Sequence, residues 1–124
     1  MQEFLNKLSF DIYEQNKKKG FWEDTEAVDG LESIGAELRD TIKKAFIAQK
    51  LALITSEVSE GLEADRKNLM DDKLKHRKGL EVELADALIR ILDMAGGYNL
   101  DIGGAVEEKL NFNKQREYKH GKAY

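Results

Sequence analysis

Apolar residues in this chain recur at intervals of three and four over long stretches, the period of a helix rather than the alternation of a half-buried strand. Phe4, Leu5, Leu8, Ile12 and Tyr13 share one side of a segment that predicts a helix over residues 2–18, with Gly20 just beyond its Lys-rich end. The stretch from Phe21 to Gly35 is less regular. From Ala36 to about Lys67, Leu38, Ile42, Phe46, Ile54 and Val58 keep the helical period, and Gly61 near the end is the one strong breaker, so the longest helix is expected here. A charged connection from Asn68 to Lys78 leads to Gly79 and a helix of about 80–95, with Leu80, Leu84, Leu88, Ile91 and Ala95 along its apolar face and Gly96-Gly97 as its expected stop. Asp101 is an N-cap for a last helix of about 102–117, with Leu100 before it and Ile102, Val106 and Leu110 inside. Proline is absent, which removes the commonest helix breaker. The reading is all-α.

Composition narrows the class. At 124 residues the chain is read as one domain, residues 1–124, small enough that association with another copy adds useful buried surface. A formal net charge of −4, from 20 basic and 24 acidic residues, argues against a nucleic-acid polymer as partner, because such binding relies on many Lys and Arg contacts to phosphate. No cysteine means no disulfide framework, thiolate zinc site or cysteine nucleophile. No apolar run approaches the roughly 18 residues that span a bilayer, and the first residues lack a continuous signal-peptide core. No membrane partner and a cytoplasmic location are therefore expected.

The chemistry lies in two acidic pairs, Glu57-Val58-Ser59-Glu60 and Glu83-Leu84-Ala85-Asp86. Carboxylates three residues apart on a helix stand about one turn apart on one face. Two such helices packed antiparallel bring four carboxylates together, which is tolerable only if they are protonated, well solvated or neutralised by cations. Mg²⁺, a hard ion that prefers oxygen ligands, is the natural neutraliser, with Mn²⁺ as a substitute. At about 100° per residue Glu57 falls between Phe46 and Leu53 on one side and Ile54 and Val58 on the other, so it points toward the packed face. Glu83 and Asp86 share a polar stripe with Arg90 and Asp93 that on local grounds equally suits a solvated face. Arg90 reads as a salt-bridge partner, and Asp93 as a group that orients a basic neighbour. Neither pair ends in histidine, unlike the Glu-x-x-His of di-iron bundles, and His76 and His120 sit in charged, surface-like segments.

Further along, Lys109, Asn113 and Arg116 are spaced four and three apart and share a face, an arrangement suited to phosphate oxygens. Lys119 and Lys122 extend it into the tail. A basic helix end favoured by its dipole is the plainer alternative. Trp22, after Lys17-Lys18-Lys19-Gly20-Phe21, either stacks on a nucleobase or plugs the core.

The runs Lys50 to Glu60 and Glu83 to Ile89, followed by Lys109 through Arg116, resemble the MazG-like all-α nucleoside triphosphate pyrophosphohydrolases over most of residues 45–124. That family carries a Glu-x-x-Glu pair, a variable spacer and a Glu-x-x-Asp pair. The resemblance implies a four-to-five-helix bundle completed by homo-oligomerisation as a dimer or tetramer. It implies Mg²⁺ on Glu57, Glu60, Glu83 and Asp86, and release of pyrophosphate from a nucleoside triphosphate. The competing expectations are a non-catalytic helical interaction protein, with the acidic pairs as surface decoration, and a nucleotide sensor that binds without turnover.

Overall fold

The computed structural model describes residues 1–116, which form five helices: α1 Gln2–Lys18, α2 Glu23–Asp29, α3 Ala36–Arg66, α4 Gly79–Gly97 and α5 Ile102–Lys114. Among the described residues the only β pairing is a single antiparallel bridge, Met70 to Lys78. The all-α expectation holds, and α1 and α3 fall where their apolar periodicity placed them. The irregular stretch after Phe21 contains the short α2, whose Glu23, Asp24 and Glu26 in the first turn complement the positive end of the helix dipole. Among the described residues no helix is long and apolar enough to cross a membrane.

α3 and α4 form an antiparallel hairpin. Its register is visible in pairs along its length: Gly79 against Ala64, Glu83 against Gly61, and Arg90 against Glu57. The connection is closed by Asp71 N–H donating to Arg77 O and Gly79 N–H to Leu69 O, both at 2.9 Å. Asn68 and Asn99, just past the ends of α3 and α4, take left-handed backbone, the conformation that asparagine tolerates beyond a helix terminus. α1 lies on α4, where buried Ser9 donates to Leu92 O at 2.6 Å, and α5 packs chiefly on α1. Asp101 caps α5 as expected, accepting from Gly104 N–H at 2.9 Å and from the Asn6 amide at 2.7 Å.

α4 closes at Gly97, at the glycine pair expected to stop it, while its apolar face needs correction. The two positions are also glycine because neighbours press on them. A Cβ on Gly97 would overlap the Trp22 ring, and one on Gly96 would come within 2.7 Å of Tyr13 Cβ. The apolar stripe of α4 points away from the core for most of its length. Leu84 and Leu88 are each 53% exposed and Ile91 is exposed, whereas Ala87, Leu92 and Ala95 are buried.

The same holds on α3, where Val58 and Leu62 are exposed beside buried Glu57 and Gly61. Each exposed residue stands one position past a residue facing the other helix. Antiparallel packing reverses the sense of rotation, so the two apolar sets fall on the same side of the hairpin. The polar residues are thus turned between the helices and a large apolar side is left outside. The hydrophobic core is correspondingly small, made of Trp22, Val28, Ala87, Leu92 and Ala95.

Candidate metal centre

Glu57 is the buried carboxylate that helical phase foretold, at 9% exposure. Its Oε1 accepts from Arg90 Nε at 2.6 Å, which gives the buried charge a partner across the hairpin and bears out the ion-pair reading of Arg90. Glu57, Glu60 and Glu83 each offer an oxygen within 4.8 Å of the others. The polar stripe of Glu83, Asp86, Arg90 and Asp93 therefore faces α3 and the hollows beside it rather than open water. Small residues permit this approach: Gly61 lies against Glu83 Cβ and Leu80, and Gly79 against Ala64.

The electrostatics show the strain of that convergence. Burial first, then the Glu57 carboxyl beside it and the charges of Glu60 and Asp86, push Glu83 up to about 7. Its Oε2 is buried without a hydrogen-bond partner, an orphaned acceptor of the kind a bound cation would satisfy. Asp86 is also raised, by burial and then by the charges of Glu57 and Asp71, against the opposing pull of Arg90 and Lys73. The donor set is oxygen throughout, which fits Mg²⁺ or Mn²⁺ and offers nothing to a softer metal. Asp86 stands outside the close group of three but lines both adjoining cavities together with Glu57.

Those cavities differ in character. One, of about 430 Å³, combines amides, apolar walls and charge: Asn16, Phe21, Gln49, Lys50, Leu53 and Arg90 are among its walls. The other, of about 800 Å³, is an acidic hollow that also takes in Glu60, Glu63, Asp71 and Asp72. Among the described residues Lys73 is the single basic one lining it, carried by a turn in which Asp71 Oδ2 accepts from the backbone N–H of Lys73 and of Leu74 at 3.0 and 2.6 Å.

Trp22 is not a base-stacking platform. It is 2% exposed, edge-on to Tyr13 and Tyr98 with ring centroids at 5.1 and 5.4 Å, and Lys50 Nζ lies 3.7 Å from its ring centroid. Its indole N–H donates to Asp93 Oδ1 at 3.0 Å, so Asp93 holds the tryptophan while its charge also acts on a basic neighbour, Lys50. Of the two readings of Trp22, the core plug is the one realised; the aromatic at the cavity is Phe21. Lys50 is held partly buried between the Trp22 face and the cavity, and burial lowers its pKa.

Lys109, Asn113 and Arg116 line neither cavity; the first two lie on α5, which packs on α1 rather than on the hairpin, and Arg116 follows its C-cap. Lys109 and Arg116 both lie over Phe112, at 4.8 and 5.2 Å from its centroid. Among the described residues this basic group and the carboxylates therefore share no cavity. Lys119 lies outside the described residues. His76 is exposed in the α3–α4 connection, in keeping with a surface role.

Sequence reading missed Asn16, Gln49 and Lys50 as neighbours of the site. For Lys50 a signal existed, since it precedes Glu57 by two helical turns and so shares its face; Asn16, near the end of another helix, had none. The chain matches no family model, no curated protein and no solved structure.

Proposed function

We propose that the chain is a Mg²⁺-dependent nucleoside triphosphate pyrophosphohydrolase, converting an NTP or dNTP and water to the monophosphate and pyrophosphate. The observation that carries this reading is the meeting of Glu57, Glu60 and Glu83 within 4.8 Å, with an orphaned buried oxygen on Glu83, at the boundary of two cavities. The sequence resemblance points the same way.

Glu57, Glu60, Glu83 and Asp86 would hold the ion, which when bound supplies a Lewis acid for phosphate oxygens and lowers the pKa of a coordinated water. Glu60 is the exposed member of the close group and takes the proton of the attacking water. Oxygen from that water bonds to the α-phosphorus, the bridge to the β-phosphate breaks, and pyrophosphate leaves. The mixed cavity, with the Asn16 and Gln49 amides and Phe21, accommodates the nucleoside. Lys109, Asn113 and Arg116 reach the phosphates when a second copy presents the end of its α5, which ties turnover to the homodimer or homotetramer.

The exposed apolar side of the α3–α4 hairpin favours a second reading, a helical interaction protein without turnover. A panel of canonical and modified nucleoside triphosphates assayed for pyrophosphate release with Mg²⁺ separates the two. Release from at least one nucleotide, lost on chelation, supports the hydrolase. Failure across the panel, together with an unchanged melting temperature on adding millimolar Mg²⁺ or Mn²⁺, supports the interaction protein.

A further inference from the structure

If α5 does not deliver its cations to the carboxylates within one chain, another cation beside them must meet the phosphates first. Among the described residues three candidates adjoin the site: Lys50, Lys73 and Arg90. Lys50 is committed to the Trp22 face, at 3.7 Å from the ring centroid. Lys73 rides on the α3–α4 connection at the far side of the acidic hollow.

Arg90 differs from both. It stands one turn beyond Asp86 on α4, on the mixed-cavity side of Glu57 and Asp86, the two residues that line both cavities. Its Nε is anchored to Glu57 Oε1 at 2.6 Å, yet a guanidinium carries five N–H donors. Among the described residues no other carboxylate lies within 4 Å of it, and neither Nη group donates to a protein acceptor. Pairing alone favours a fork that grips a carboxylate with two parallel donors. Here one donor fixes the side chain, 43% exposed, and the rest of the fork is left toward the cavity.

We propose that Arg90 is the phosphate-binding cation of this site, held in place by Glu57 and directing its Nη donors to the oxygens of a polyphosphate that spans the boundary between the two cavities. The inference rests on the hydrolase reading and deepens it, giving the site a cation from the same hairpin as its carboxylates. It also sets a characteristic sign. Arg90 adds positive charge next to Glu57, so it opposes divalent cations while favouring anions, and its removal moves the two affinities in opposite directions.

The test is calorimetric titration of the full chain with Mn²⁺ alone and then, at saturating Mn²⁺, with inorganic tripolyphosphate, comparing wild type, Arg90→Gln and Arg90→Lys. Arg90→Gln is expected to bind Mn²⁺ at least as tightly as wild type and tripolyphosphate roughly 10- to 100-fold more weakly, the scale of a lost charge-assisted hydrogen bond. Arg90→Lys is expected to recover part of that loss. Parallel loss of Mn²⁺ and tripolyphosphate binding in a folded Arg90→Gln protein would make Arg90 a mere strut for Glu57 and overturn the proposal. Unchanged tripolyphosphate binding would overturn it too. Should Arg90→Gln lose its helical circular dichroism, Arg90→Lys decides: weaker tripolyphosphate binding with Mn²⁺ affinity retained supports the proposal, and wild-type affinity for both refutes it. Wild-type turnover of a nucleotide that persists unchanged in Arg90→Gln removes the role of Arg90 and leaves the hydrolase standing, whereas a wild type that binds no Mn²⁺ removes both.

Discussion

At Glu83 a carboxyl group meets burial and three neighbouring acids, and its proton is held until about pH 7. A carboxyl raised in the folded state is protonated there while the unfolded chain is already ionised, so its contribution is fully present below about 4.5 and is lost as pH rises through about 7. Asp86 is shifted in the same direction. In EDTA the melting temperature is therefore expected to fall between those values. Millimolar Mg²⁺ or Mn²⁺ should raise it more at about pH 8 than at about pH 5, because the cation replaces the proton. Equal rises at the two pH values in a melting series would count against a carboxylate metal site. The same site predicts that Glu57→Ala and Asp86→Ala each cut pyrophosphate release by more than about 100-fold, since even outer partners of metal ligands cost about 10–100-fold. Helix content by circular dichroism should be retained, and normal turnover in either variant would refute the assignment.

Between elements, fit is decided by small residues and caps. Gly97 lies against the Trp22 ring, so Gly97→Ala forces the indole or α4 to move and is expected to cost about 1–3 kcal/mol in denaturant unfolding. An unchanged unfolding midpoint would mean that the ring is not packed there. Asp101 ties α5 to α1 through the Asn6 amide and caps α5 through Gly104 N–H, contacts that in that order lower its pKa. Asp101→Ala should lower the midpoint of denaturant unfolding through loss of the cap. A lowered carboxyl acts with the opposite sign to Glu83: its contribution is present above the ordinary aspartate pKa and disappears as pH falls through its own. The difference between wild type and Asp101→Ala should accordingly vanish in acid unfolding series while persisting at neutral pH.

For the whole molecule the decisive feature is the apolar side of the hairpin. Burial of a leucine or valine contributes about 1.5–3 kcal/mol, so covering Val58, Leu62, Leu84 and Leu88 with a second copy is worth several kcal/mol. The chain is expected to run as a dimer or tetramer in size-exclusion chromatography with light scattering. Leu84→Asp combined with Leu88→Asp should shift it toward monomer and, if α5 serves a neighbour's site, reduce turnover with it. A monomeric wild type at micromolar concentration would contradict this.

How much was legible in the sequence differs from residue to residue. Apolar spacing placed α1 and α3, Asp101 announced the start of α5, and the phase of Glu57 against Phe46 and Ile54 showed a carboxylate turned inward, because each of these is set by neighbours within a few turns of one helix. Leu84 and Leu88 misled, since periodicity shows that a helix has an apolar face without saying whether that face meets its own core or another chain. Gly96-Gly97 marked the end of α4 without announcing the Trp22 ring pressed against it, because glycine serves close approach as well as termination and Trp22 is far away in sequence. The polar stripe of Glu83, Asp86, Arg90 and Asp93 stayed ambiguous until α3 was laid against α4. Local chemistry determined the helices and the acidic pairs; only the packing of distant segments decided which faces met, because burial and electrostatic coupling depend on proximity in space rather than along the chain.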